Sequence, residues 1–269
     1  MSNPYQTPAA ELTMPASSSR RQLGDPARLN ASRGIDWLSE GWRLFMRAPG
    51  MLLGISVLMV ILYALMALVP LLGNLALLLL WPMFTAGLFL ALRHADEGQP
   101  VTFADLFAPF AVWRSLMGLG WLSLLAGVVV SMIAAAALFA FGVLTTITSQ
   151  GFDPAAGWGQ AGMGMMLVPL LVVALMAALS MGFIFSPILV YQHQVPAMEA
   201  VRLSFVACLR NVLPFLLWGL AFLAGSFVAG LLGALIPLLG GLVMLAFCLL
   251  LVPLSAASLY CAYRDIFWH

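Results

Sequence analysis

Residues 48–93 read APGMLLGISVLMVILYALMALVPLLGNLALLLLWPMFTAGLFLALR, and this stretch decides the fold. Its first 45 residues, 48–92, carry no charge. A membrane-spanning helix needs ~20 apolar residues, so the stretch holds two spans and a tight turn. The turn falls at Pro70-Leu71-Leu72-Gly73-Asn74, where proline and glycine punctuate the apolar run.

Three more uncharged gaps follow: 38 residues at 115–152, 45 at 154–198 and 53 at 211–263. The last repeats the hairpin, with its turn at Pro237-Leu238-Leu239-Gly240-Gly241. The middle gaps read as one span each, because residues 149–164 are rich in glycine and polar groups and read as a loop. The expected spans are 51–69, 74–93, 115–144, 165–191, 212–235 and 240–262.

Composition agrees. Of 269 residues, 63% are hydrophobic and 8% charged, against ~45–50% and ~25% in soluble domains. Mean hydropathy is +1.05. A soluble fold, a disordered chain and a nucleic-acid-binding protein are all excluded. The fold class is therefore an all-α integral membrane protein with six transmembrane helices.

The charges give an orientation. All 11 basic residues are arginine. With six spans they all fall on one side, before span one, between two and three, between four and five, and after six. Asp153 is then the single charge opposite. The positive-inside rule predicts both termini in the cytoplasm.

The two PLLG turns suggest an internal repeat. Residues 35–98 and 197–267 share an amphipathic segment ending near an arginine (Arg47; Arg210), then a proline, a span, the turn, and a second span. In each second span a proline stands 11 residues before the closing arginine: Pro82 before Arg93, Pro253 before Arg264. Residues 102–195 keep the plan loosely, with Pro187. The predicted architecture is three parallel repeats, about 35–98, 102–195 and 197–267, each an amphipathic surface helix plus a transmembrane hairpin. At 100° per residue, 35–48 divides into a charged arc and an apolar arc. This predicts an interfacial helix with Trp37 and Trp42 at headgroup depth. Thr102 and Asp105 form a T-x-x-D start resembling a capping box.

Residues 1–34, rich in Pro, Ala, Ser and Arg, read as a disordered cytoplasmic tail. The opening Asn3-Pro4-Tyr5 suits a docking peptide for a cytoplasmic partner, or merely a solvated tail.

No catalytic set appears. No Asp, Glu, Arg or His falls at mid-depth of a span, and His94, His193 and His269 lie at chain or helix ends. Cys208, Cys248 and Cys261 show no pairing pattern. The sequence thus predicts no enzyme, no cofactor and no metal. Candidate contacts remain in two places. Arg43, Arg47, Arg202 and Arg210 on the surface helices can attract lipid headgroups. Pro82, Pro187 and Pro253 free backbone carbonyls in lipid, so their kinks should face the bundle interior and could line a pocket. Small residues at four-residue spacing, Ala174/Ala178/Gly182 among them, mark close helix packing.

Gly41-Trp42-Arg43-Leu44-Phe45, the PLLG turns and the closing Tyr263-Arg264-Asp265-Ile266-Phe267 resemble an uncharacterised family of proteobacterial inner-membrane proteins. That family is distantly similar to the membrane domain attached to some glycerophosphodiester phosphodiesterases. The resemblance implies a six-helix protein of the bacterial inner (plasma) membrane and carries over no catalytic residue. Two functions fit: a non-enzymatic scaffold or accessory protein acting through membrane lipids or another membrane protein, and a transporter or lipid-handling permease with a cavity between repeats.

Overall fold

The computed structural model describes residues 24–148, 154–235 and 240–268. Every described element is helical, and six stretches are long and apolar enough to cross a membrane. The opening Asn3-Pro4-Tyr5 and residues 236–239 of the second PLLG turn lie outside the described residues.

The first helix, α1 (Arg33–Phe45), carries Asp36 in its first turn and Arg43 in its last, which complements the helix dipole. Its buried residues Trp37, Gly41, Leu44 and Phe45 fall on one stripe. That stripe does not meet lipid. Gly41 lies against the last transmembrane helix, where a Cβ would come within 2.7 Å of the Ser258 amide nitrogen. Trp37 is fully buried, with its ring 5.1 Å from that of Phe215. The expected lipid-facing placement of Trp37 is therefore corrected, because protein covers its part of the apolar arc, while Ile35 on the same arc is exposed. Trp42 is half exposed.

Next come α2 (Pro49–Ala67) and α3 (Leu72–Asp96). Pro49 opens α2, where its missing N–H has no intrahelical partner to lose. Between them Leu71 has φ 65° and ψ −65°, and Leu72 N–H donates to the Pro70 carbonyl at 2.8 Å. This is the strained hand of the γ-turn. Gly73 then packs directly on the Met66 carbonyl. Half of the apolar window of α3 is buried, against 6% for those of the third and fifth spans. So α3 is central and the others face outward.

Residues 102–114, expected as one amphipathic helix, form α4 (Ala104–Phe107) and a 3-10 turn at Ala108–Val112. Pro109 sits at the start of that turn. Asp105 accepts from the Thr102 N–H at 2.9 Å, as the T-x-x-D start predicts. Gly87 of α3 receives α4, since a Cβ there would meet Leu106 Cα at 2.7 Å.

Helices α5 (Trp113–Thr148) and α6 (Pro154–Phe183) make the second hairpin. Residues 154–164, expected in a loop, are helical. Glycine weakens a helix without forbidding it, and Pro154 occupies the first turn, where proline is tolerated. Span four then breaks at residues 184–185, and α7 (Ser186–His193) follows.

The third hairpin is led by α8 (Ala197–Arg210), and comprises α9 (Val212–Leu235) and α10 (Gly240–Phe267). The face of α8 toward the protein is small: Ala200, Ser204, Ala207 and Cys208. Its large apolar residues Met198 and Leu209 are exposed. Gly240 packs directly on the Gly233 carbonyl, seven residues back, as Gly73 does on Met66.

Residues 24–32, expected within the tail, lie on the folded body. Gly24 and Ala27 donate backbone N–H groups to the carbonyls of Phe267 and Ile266 at 3.3 and 3.0 Å. Buried Asn211 completes the attachment. Its Oδ1 accepts from Leu29 N–H at 2.8 Å, and its Nδ2 donates to the carbonyls of Ala27 and Ala207 at 2.8 and 2.9 Å. The folded part thus includes the last eleven residues, 24–34, of the expected tail.

Candidate functional site

A layer of charge closes the arginine-bearing end of the bundle. Arg33 of α1 pairs with Asp265 of α10, with Glu40 at 3.1 Å and with Asp36 at 3.4 Å. Arg264 bridges Glu40 at 3.3 Å and Asp96 of α3 at 3.1 Å. Arg47 donates to the Asp96 carbonyl at 2.7 Å and lies 3.2 Å from its carboxylate. Trp37 Nε1 donates to Asp265 Oδ2 at 2.9 Å. Partial burial pulls the Arg33 guanidinium down, but the hydrogen bond and charge of Asp265, with Glu40, outweigh it and hold it above its usual value. His193 Nε2 and the Tyr263 hydroxyl, 2.6 Å apart, join α7 to α10. This layer locks α1, α3 and α10 together. Its acids are already occupied by arginines, so it is structural. A polar hollow of about 640 Å³ beside Arg47 is lined by residues 95–101, and its Asp96 is held in the same way.

The break in span four has a clear cause. Ser204 Oγ, fully buried, accepts from the Phe185 N–H at 3.1 Å and donates to the Met181 carbonyl at 2.7 Å. One hydroxyl from α8 thus satisfies a donor and an acceptor freed where α6 ends. Pro187 consequently stands in the first turn of α7 and does not kink a continuous helix. The proline inside α6 is Pro169. Pro82 and Pro253 do lie inside α3 and α10, and all three expected prolines are buried. They do not line the cavity described next.

That cavity is a groove of about 860 Å³ between α5, α6 and α8. Each helix supplies one stripe. On α5 it is Leu122, Leu125, Ala126 and Val129, at helical i, i+3, i+4, i+7 spacing. On α6 it is Ala178, Leu179, Gly182 and Phe183. From α8 come Met198, Val201, Arg202 and Phe205, with Glu199 and the preceding Pro196. Gly182 lets α8 approach, since a Cβ there would lie 3.1 Å from Val201 Cγ1. Gly182 thus marks close packing as expected, against α8, and together with Ala178 it also lines the groove.

The groove is apolar along its length and charged at one end. Glu199 and Arg202 are its charged lining residues, and both are exposed. Neither has an ion pair or hydrogen bond among the described residues. The other candidate arginines are placed differently. Arg47 is committed to Asp96, and Arg210 donates to the Pro26 carbonyl at 2.8 Å. Arg43 is exposed away from the groove lining. The sequence singled out Arg202 but not its setting. The stripes on α5 and α6 look like any lipid-facing helix surface, and only their separation in space makes a site.

Comparison with known proteins gives one relationship of length. Over 249 residues the chain is 28% identical to a probable inner membrane protein of Burkholderia thailandensis, covering 89% of this chain and 92% of that one. This agrees with the inner-membrane resemblance read from the motifs and carries no phosphodiesterase link. No family model matches the chain, and no solved structure gives a significant match.

Proposed function

We propose that the chain is a non-enzymatic accessory protein of the bacterial inner membrane that holds a membrane lipid in the α5–α6–α8 groove. The observation carrying this reading is the groove itself, about 860 Å³ of apolar lining ending at Arg202. Ligand pockets run to ~300–1,000 Å³ with mostly apolar walls and few polar groups. In a membrane the abundant molecule of that chemistry is a lipid, with acyl chain along the stripes and phosphate at the arginine. The relative of Burkholderia thailandensis supports the inner-membrane location.

The same reading places both termini in the cytoplasm, since every arginine falls at one end of the six spans. It also keeps three units, α1–α3, α4–α7 and α8–α10. Gly73 and Gly240 support the likeness of the first and last, because each packs on the carbonyl seven residues before it. The more distant likeness to a phosphodiesterase membrane domain belongs to this reading on its short motifs alone.

The test is lipid retention. The full chain, extracted in native lipid particles and then washed in mild detergent, should keep bound phospholipid detectable by native mass spectrometry. Ala178→Trp, which fills the groove, should release it. Equal retention by both proteins overturns the reading. A cysteine placed at Asp153 should react with an impermeant thiol reagent from outside the cell, and one at Gln99 should not; the reverse overturns the orientation.

A further inference from the structure

Resting on the lipid reading of the groove, we infer that its charged end selects a zwitterionic aminophospholipid, one whose headgroup carries both a phosphate and a primary ammonium. Glu199 and Arg202 are three residues apart on α8, so they stand as neighbours on one helix face, with Cβ atoms ~5–6 Å apart. Both line the groove, and they form no ion pair with each other. The groove end therefore offers one anion and one cation, side by side and uncommitted.

An anionic headgroup answers only half of this. Its phosphate would meet Arg202, and Glu199 would repel it. A phosphate-plus-ammonium headgroup answers both charges in one orientation. The guanidinium presents paired N–H donors to phosphate oxygens. The carboxylate accepts N–H bonds from the ammonium. A quaternary amine supplies the charge without any N–H donor, so it satisfies Glu199 less well. Arg47 and Arg210 cannot substitute, being already bonded to Asp96 and Pro26.

The test uses the full chain reconstituted in vesicles of equal phosphatidylethanolamine, phosphatidylglycerol and phosphatidylcholine, with retained lipid read by native mass spectrometry after detergent transfer. Phosphatidylethanolamine should be enriched at least threefold over each of the others. Glu199→Gln should abolish that preference over phosphatidylglycerol, with less phosphatidylethanolamine and more phosphatidylglycerol retained. Arg202→Gln should lower retention of all three. Both positions are exposed, so neither change disturbs the packed layer. An unchanged lipid ratio in Glu199→Gln, or phosphatidylglycerol enrichment in the unaltered chain, overturns the headgroup assignment while Ala178→Trp still empties the groove. Retention that Ala178→Trp does not touch overturns the groove reading as well.

Discussion

The Trp37 indole N–H of α1 donates to the Asp265 carboxylate of α10 across 228 positions of sequence, at 2.9 Å, and Arg33 pairs with the same carboxylate oxygen. A helix that looks interfacial is thereby fastened into the protein. The acid is largely buried, with 16% of its side chain exposed. Removing it strands the buried Trp37 N–H and takes from Arg33 one of its three acidic partners.

Asp265→Ala should therefore lower stability by about 1–3 kcal/mol, the range for stranded buried polar groups. Thermal unfolding in detergent measures this. Combining it with Arg33→Gln should lose less than the sum of the single changes, because both act on one network. Strictly additive losses would show that the pair is not coupled. Trp37 emission should resist quenching by brominated lipid, whereas Trp42 should be quenched.

Ser204→Ala should also cost about 1–3 kcal/mol, since it leaves the Phe185 N–H and the Met181 carbonyl without their shared partner. Hydrogen exchange should rise at Phe185 before it rises in the helices on either side. Unchanged exchange there would refute the capping role.

Asn211→Ala removes three hydrogen bonds, two of them to residues 27 and 29. The segment 24–32 should become protease-sensitive and its Leu29 amide should exchange at least tenfold faster. The six spans should remain folded, because their packing does not depend on this segment. A protected Leu29 amide in the variant would contradict the attachment.

Cys208 is buried on the inner face of α8, and burial pushes its thiol up to about 12. At pH 8 the group stays protonated, and the thiolate is the reactive form. Iodoacetamide at pH 8 should leave Cys208 unmodified until the protein unfolds. Peptide mapping that finds Cys208 alkylated in the folded protein would place it elsewhere.

Much of the architecture was legible in the order of residues. Lipid leaves backbone groups no water to bond with, so each span must be a helix of ~20 apolar residues. The uncharged gaps count those spans directly. Arg47, Arg93, Arg210 and Arg264 mark their ends for the same reason, because charge is expelled from the hydrocarbon. Local chemistry was also readable: the Asp105 carboxylate accepts from the Thr102 N–H three residues back, at the start of α4.

What the tertiary structure decided has one physical origin. An apolar face has the same pattern whether it meets lipid or protein, because both are apolar. The stripe of Trp37, Leu44 and Phe45 is therefore ambiguous in sequence, and only the approach of Ser258 to Gly41 turns it inward. Pro187 is ambiguous likewise. It could kink a long helix or begin a new one, and the hydroxyl of Ser204, from another helix, selects the second. The groove depends on the same indifference. Leu122, Leu125 and Val129 could face lipid, a neighbouring helix or a cavity with no change in pattern. The distance at which α8 holds itself from α5 and α6, set by Gly182 against Val201, makes it a cavity with Glu199 and Arg202 at its end.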